Sequence, residues 1–192
     1  MRRVLVIDDH EPSRKNLAGI LARSGFQIVG EATSGAEGLH LASAGTPDVI
    51  LMAVGLPDVD GIRAARRIMQ TKPLPIVLVT SHYDVATIER AKRAKVMGYM
   101  IKPLRAGDLL PAIELAISHF QEFVALQKEN ENLKKTLQAR KIIERAKGIL
   151  MARQGLSESE AFSLIQRKSM EMRKPMIEIG EAIILSEEVS ER

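Results

Sequence analysis

Residues Val49-Ile-Leu-Met-Ala53-Val-Gly-Leu-Pro57-Asp-Val-Asp-Gly61 form an apolar run that breaks, directly after a small residue, into a turn rich in Gly, Pro and Asp. A parallel strand buried on both faces has this signature, and its carboxyl end is where an open α/β sheet places its site. The residue delivered there is Ala53, whose methyl group has no chemistry of its own.

Working outward, short apolar runs recur on both sides: Val4 to Ile7 ahead of Asp8-Asp9, Phe26 to Gly30, Pro75 to Thr80, and Gly98 to Ile101 ahead of Lys102-Pro103. Helical periodicity fills the gaps. Leu17, Ile20 and Leu21 follow Pro12, and Ser34 with Glu37 has capping-box spacing for a helix with Leu39 and Leu41 inward. Ile62, Ala65, Ile68 and Met69 mark a third helix, and a fourth runs from about Val85 to Val96. Strands alternating with helices predict an α/β domain with a five-stranded, parallel, doubly wound sheet and a site outside the strands' carboxyl ends.

Those ends present Asp8 and Asp9, Ala53, Thr80 and Lys102. Two adjacent carboxylates suit Mg2+, and a hydroxyl with an ammonium supplies the donors a phosphoryl group takes. A central carboxylate would complete that chemistry by forming an acyl phosphate. Ala53 stands there instead.

On these residues, with Leu56-Pro57, Gly61 and Tyr99, the first 119 residues resemble a response-regulator receiver domain of flavodoxin-like fold. The resemblance implies that Asp8 and Asp9 hold Mg2+ with the Gly55 carbonyl and that Thr80 and Lys102 bind phosphoryl oxygens. It further implies that Tyr99 is the switch aromatic, that Lys102-Pro103 is cis, and that Ala53 replaces the phosphoacceptor Asp, which weakens Mg2+ binding. A sensor histidine kinase is the implied partner of a form with aspartate at position 53. Two origins of Ala53 stay open: an engineered substitution of the acceptor in a phosphorylation-competent regulator, or a natural pseudo-receiver controlled by a partner protein. Retention of the other site residues favours the first.

Composition narrows the setting. The chain has 192 residues, no cysteine and 3% aromatic residues, which argues against a disulfide-built secreted protein. The apolar start is too short for a signal peptide, and no later run is read as a membrane span, so a cytoplasmic protein with no membrane partner is expected. The net charge is only +4, but Arg140, Lys141, Arg145, Lys147 and Arg153 form a basic stripe while the last seven residues are acid-rich.

One helix is predicted from about Ala106 to Arg153, with Ile113, Leu115 and Ile117 on the receiver. Beyond them, in a linker over 120–138, a heptad frame places Phe123, Asn130 and Leu137 at a, with Leu126, Leu133 and Arg140 at d. Leu at d with Asn at one a position favours a parallel dimer, and Glu129 with Lys134 suits an interchain ion pair. Fewer than three heptads are clean, so a lone helix folded onto its own domain is the alternative.

Residues 139–192 read as three helices. The first carries Ile142, Ile143, Ala146, Ile149 and Leu150 and ends at Gly155. The second opens with a Ser157/Glu160 capping box and packs through Ala161, Phe162, Leu164 and Ile165. The third starts with Pro175 at its first position. Through Arg145 to Leu150, Ala161-Phe162, Ile165-Gln166, Ser169-Met170 and Arg173, this tail resembles the ANTAR output domain. The resemblance implies a non-enzymatic, dimeric antiterminator that binds RNA with paired stem-loops. Arg140, Lys141, Arg145, Lys147, Arg167, Lys168, Arg173 and Lys174 supply basic side chains for such RNA, and Gly148 admits a close approach by RNA or by another helix. A DNA-binding two-component activator and a pure protein-docking module are the competing readings.

Overall fold

The computed structural model describes residues 1–190, and Glu191 and Arg192, the end of the predicted tail, lie outside it. The first compact unit is Met1–Val124 and the second begins at Ala125. In the first, β1 (Arg3–Ile7), β2 (Gln27–Ala32), β3 (Val49–Ala53), β4 (Ile76–Thr80) and β5 (Gly98–Ile101) alternate with α1 (Glu11–Arg23), α2 (Gly35–Ala44), α3 (Gly61–Thr71) and α4 (Val85–Arg93). The strands are parallel in the order β2-β1-β3-β4-β5, so the chain reverses direction across the sheet between β1 and β3. That reversal opens a crevice at the carboxyl ends of β1 and β3.

Side-chain alternation divides the strands between two apolar layers. Val4, Val6, Leu51 and Val77 pack under α1 and the start of α5 (Ala106–Gln154), while Leu5, Ile7, Ile50, Met52 and Leu78 pack under α2, α3 and α4. Both faces are covered, which is why β3 reads as a continuous apolar run. On α5, Ile113, Ala116 and Ile117 are buried but Leu115 is 56% exposed. A helix buries residues three and four apart, so the expectation that Leu115 packs with its neighbours is corrected.

α5 continues into the second unit, where its last turns pack with α6 (Glu158–Met172) and α7 (Met176–Ser190) around Ala146, Leu150, Ala161, Ile165 and Ile179. The capping box at Ser157 and Glu160 is present, and Gly155 has φ +65. Pro175 sits one residue ahead of α7, not at its first position. Gly180 brings α7 close to α5, since a Cβ there would lie 3.0 Å from Ile142 Cγ2. Phe162, expected in the core, is 42% exposed. Its neighbours Ala161 and Ile165 fill the buried stripe four residues apart, and Phe162 falls outside it.

The long helix also corrects the expectation that no run approaches a membrane span. Among the described residues α5 alone contains an 18-residue stretch long and apolar enough to cross one. Leu109, Ile113 and Ile117, however, are core residues of the first unit.

Candidate functional site

The carboxyl ends of the strands surround a cleft of about 690 Å3 lined by Asp9, His10, Ser13, Ala53, Gly55, Thr80 and Lys102 among others. The fold therefore brings together all the strand-end residues singled out from the sequence except Tyr99. Asp8 lies beneath the cleft, 1% exposed. Its Oδ2 accepts from Lys102 Nζ at 2.6 Å and from Ser13 Oγ at 2.8 Å, and its Oδ1 accepts from the His10 amide at 3.1 Å. A buried carboxylate needs such compensation, and here it is complete. Asp9 is exposed and has no hydrogen bond or ion pair among the described residues.

Ala53, 4% exposed, closes β3 against this pair. Its position is fixed from below: the Gly61 amide donates to the Val54 carbonyl at 2.8 Å, and a Cβ on Gly61 would overlap the Ala53 carbonyl oxygen. Asp58 in the same turn accepts from the Gly35 and Ala36 amides at 2.7 and 2.8 Å. Those amides hold its carboxyl below the usual carboxylate range and tie the β3–α3 turn to the start of α2. Thr80 Oγ1 accepts from the His82 amide at 3.3 Å, and Tyr99 donates to the His82 carbonyl at 3.1 Å. Tyr99 is thus half-buried beside the β4–α4 loop, not in the cleft. The Lys102–Pro103 bond is cis.

For Mg2+ the oxygens on offer are Asp9, the Gly55 carbonyl and a carboxylate, Asp8, that already holds an ammonium. Among the described residues no three His, Cys, Asp or Glu side chains converge as a metal cluster. With Lys102 neutralising Asp8, this donor set fits Mg2+ poorly.

In the second unit the basic residues divide by partner. Lys147 is 6% exposed, and its Nζ donates to both Glu144 oxygens at 3.0 and 2.9 Å and to Glu158 at 2.7 Å. Glu158 first, then Glu144, raises the Lys147 pKa, and Lys147 lowers that of Glu158. The expectation that Lys147 presents its charge to RNA is therefore corrected: it is a clamp from α5 to the start of α6. Arg145, Lys168 and Lys174 make exposed pairs with Glu188, Glu171 and Glu178 at 3.0, 2.7 and 3.3 Å, and Arg167 sits 3.9 Å from Glu171. Such surface pairs contribute little and exchange readily. Arg140, Lys141 and Arg173 are exposed, with no side-chain hydrogen bond or ion pair among the described residues. Gly148 is exposed, and a Cβ there would meet nothing within 4 Å, so packing within the domain does not explain it.

The predicted dimer stripe also divides. Leu126, Leu133 and Leu137 are 64%, 57% and 60% exposed, and Asn130 is exposed beside them. Phe123 is half-buried in the first unit, its ring 6.5 Å from Phe120 and 5.3 Å from Lys95 Nζ. It is therefore spoken for before a coil begins.

Comparison with known proteins adds the family. A family model described as response regulator receiver domain matches residues 4–114, and one described as ANTAR domain matches residues 131–184. The transcriptional regulatory protein PdtaR of Mycobacterium tuberculosis (strain ATCC 25618 / H37Rv) is 42% identical over 183 residues, covering 95% of this chain and 89% of that protein. LiaR of Bacillus subtilis (strain 168) is 38% identical over 118 residues, 60% of this chain and 56% of that protein. Among solved structures, the receiver domain of a modulated diguanylate cyclase from Desulfovibrio desulfuricans G20 superposes with TM-score 0.60 at 33% identity, covering 63% of this chain and 97% of that one.

Proposed function

We propose, for a chain that belongs to the response regulators in which a receiver domain precedes an ANTAR domain, that it is an RNA-binding transcription antiterminator whose receiver lacks its phosphoacceptor. The receiver is assigned to 1–119, a dimerising helical linker to 120–138 and the RNA-binding domain to 139–192. The role is regulatory, not enzymatic.

The observation that carries this reading is the methyl group of Ala53 in the cleft with Thr80, above the Asp8–Lys102 pair. A phosphodonor entering there meets hydroxyl and ammonium donors but no carboxylate nucleophile at the end of β3. Phosphorylation at position 53 is impossible, so a sensor kinase is a partner only of a form with aspartate there. A second reading, a pseudo-receiver governed by a partner protein, is favoured by one feature: Lys102 already neutralises Asp8 without any group at position 53. Mg2+ binding at Asp8, Asp9 and Gly55 is correspondingly weak.

Dimerisation is supported by the linker. Every residue from 124 to 138 is exposed and helical, and isolated helices of about 15 residues are marginal in water. Leu126, Leu133 and Leu137 give that helix an apolar stripe for a second copy, with Asn130 setting the register. Two RNA-binding domains then meet the two stem-loops of one RNA. Arg140, Lys141, Gly148 and Arg173 form the open part of the binding surface, and Arg145, Arg167 and Lys174 join it by exchanging carboxylates for phosphates. Exposed Phe162 offers a stacking face.

The test is binding of paired-hairpin RNA against duplex DNA of equal length over a salt series, with mass measured by sedimentation. RNA preference with two protein chains per RNA is expected. Equal affinity for the duplex would overturn the reading.

A further inference from the structure

We propose that the receiver carries a second RNA-binding surface, the arginine face of α3 and α4, which contacts phosphates without reading sequence. The sequence from 61 to 95 holds eight basic and two acidic residues in a chain whose net charge is +4, so the rest of the protein is net acidic. The helices concentrate that charge on one side. Ile62, Ala64, Ala65 and Ile68 of α3, Ala91 of α4 and Ala94, which caps α4, bury into the same apolar layer. Their opposite faces present Arg63, Arg66, Arg67, Arg90 and Arg93, all exposed.

Arg90 reaches Asp60, the N-cap of α3, at 2.8 Å and ties the two helices together. The side chains of Arg63, Arg66, Arg67 and Arg93 have no hydrogen bond or ion pair among the described residues. In the second unit Arg145, Lys147, Arg153, Lys168 and Lys174 have one, while Arg140, Lys141 and Arg173 do not.

The chemistry selects the ligand class. Unpaired guanidinium groups present planar forks that fit phosphate, and an excess of like charge over the nearby acids Asp60 and Glu89 is relieved by a polyanion. A protein partner would want an apolar anchor inside the patch. The outward side of α3 has none, since Arg63, Arg66, Arg67 and Gln70 are its exposed residues before the helix end, and on α4 the exposed Val85 lies at the opposite end of the helix from Arg93. Polar, strongly positive surfaces are instead typical of nucleic-acid interfaces. The surface is separate from the cleft below Ala53 and independent of the second unit, so it survives failure of the antiterminator reading.

The experiment uses the full chain, with poly(U) and paired-hairpin RNA as probes and affinity measured over a salt series. Three variants are compared with the parent: Arg66→Glu/Arg67→Glu/Arg93→Glu, the same positions changed to Lys, and Lys141→Glu/Arg173→Glu in the second unit. All altered side chains are exposed, and matching melting curves confirm intact folding. Poly(U) binding by the parent is expected, with the Glu triple variant losing about 2 from the salt slope at roughly 0.7 per single-strand phosphate contact. The Lys triple variant should keep most of that slope.

Unchanged poly(U) and hairpin affinity in the Glu triple variant overturns the proposal, whether the true partner is an acidic protein or none. If that variant is unchanged while the second-unit variant loses hairpin RNA, the antiterminator reading stands and the receiver surface falls. Loss of poly(U) binding only in the triple variant, with no preference for hairpins in the parent, has the reverse meaning.

Discussion

Replacing Ala53 with Asp tests the strand-end site most directly, because it adds one carboxylate where Asp8 already takes the single ammonium of Lys102. Asp8 is 1% exposed and shares the single ammonium of Lys102 at 2.6 Å. Asp9 lines the same cleft, and Ala53 is 4% exposed. A third carboxylate must share Lys102 or stand unpaired, and like charges in one site raise a carboxyl pKa by a unit or more. At about 1.4 kcal/mol per unit, one to two units cost about 1.5–3 kcal/mol at neutral pH. With about 4 °C per kcal/mol for a domain of this size, the receiver should melt roughly 6–12 °C lower without divalent ions.

Ala53→Asn is the control, since it adds the same volume without charge. Adding Mg2+ should return most of the loss to the Asp variant and none to the Asn variant, because with three carboxylates in the site the divalent ion competes with the Lys102 ammonium for them. Scanning calorimetry of the three proteins with chelator and with Mg2+ reads this out. An Asp variant that melts with or above the parent in chelator would refute the reasoning, showing that Lys102 turns from Asp8 to position 53 at no cost.

Other outcomes follow from particular contacts. Gly148→Ala should stabilise the second unit by roughly 1 kcal/mol, since nothing crowds a Cβ there; an accompanying loss of hairpin-RNA affinity would identify Gly148 as a point of close RNA approach, and unchanged affinity would exclude that. Lys147→Met should lower the melting temperature of the second unit and leave the salt slope of RNA binding unchanged, because Lys147 is committed to Glu144 and Glu158. The same pair sets an acid limit: Glu158 is held below its ordinary value, so its stabilisation is present above that value and is lost as pH falls through the lowered one. Circular dichroism of the parent should show this acid loss, and Lys147→Met should flatten it. Leu133→Glu should abolish any dimer seen by sedimentation without changing receiver melting, since Leu133 is 57% exposed and touches no core.

How much of this is legible in the sequence depends on the kind of periodicity involved. The central strands β1, β3 and β4 follow from apolar runs, because strands covered on both faces leave no polar alternation to misread, while edge strand β2 alternates and extends to Ala32, past the run ending at Gly30. The strand-end residues follow for the same reason: parallel strands deliver their last residues to one edge. The errors fall on helices and on partners. Leu115 and Phe162 read as buried from apolarity alone, although each lies off the stripe that its own neighbours define. Lys147 reads as a ligand within a basic stripe, and only the fold shows that Glu158, eleven residues on, returns to it at 2.7 Å. Asp58 and Gly180 give no local signal, since what makes them matter is an amide or a helix from another part of the chain. The arginines of α3 are visible in the sequence but averaged away in a net charge of +4.

That averaging bears on how the molecule works. In the cleft Lys102 pairs with Asp8, while the arginine face of α3 and α4 holds the receiver's excess positive charge. Losing the acceptor at position 53 leaves that face untouched, as it leaves the exposed leucines of the linker untouched. What Ala53 removes is one input. On the function proposed above, dimerisation should then depend on protein concentration and on RNA, because an RNA with two hairpins raises the effective concentration of a second chain where the linker alone is marginal. Sedimentation across a protein dilution series, with and without that RNA, should show a dimer that RNA stabilises and that phosphodonor leaves unchanged. A dimer equally tight without RNA would mean that the leucine stripe suffices by itself.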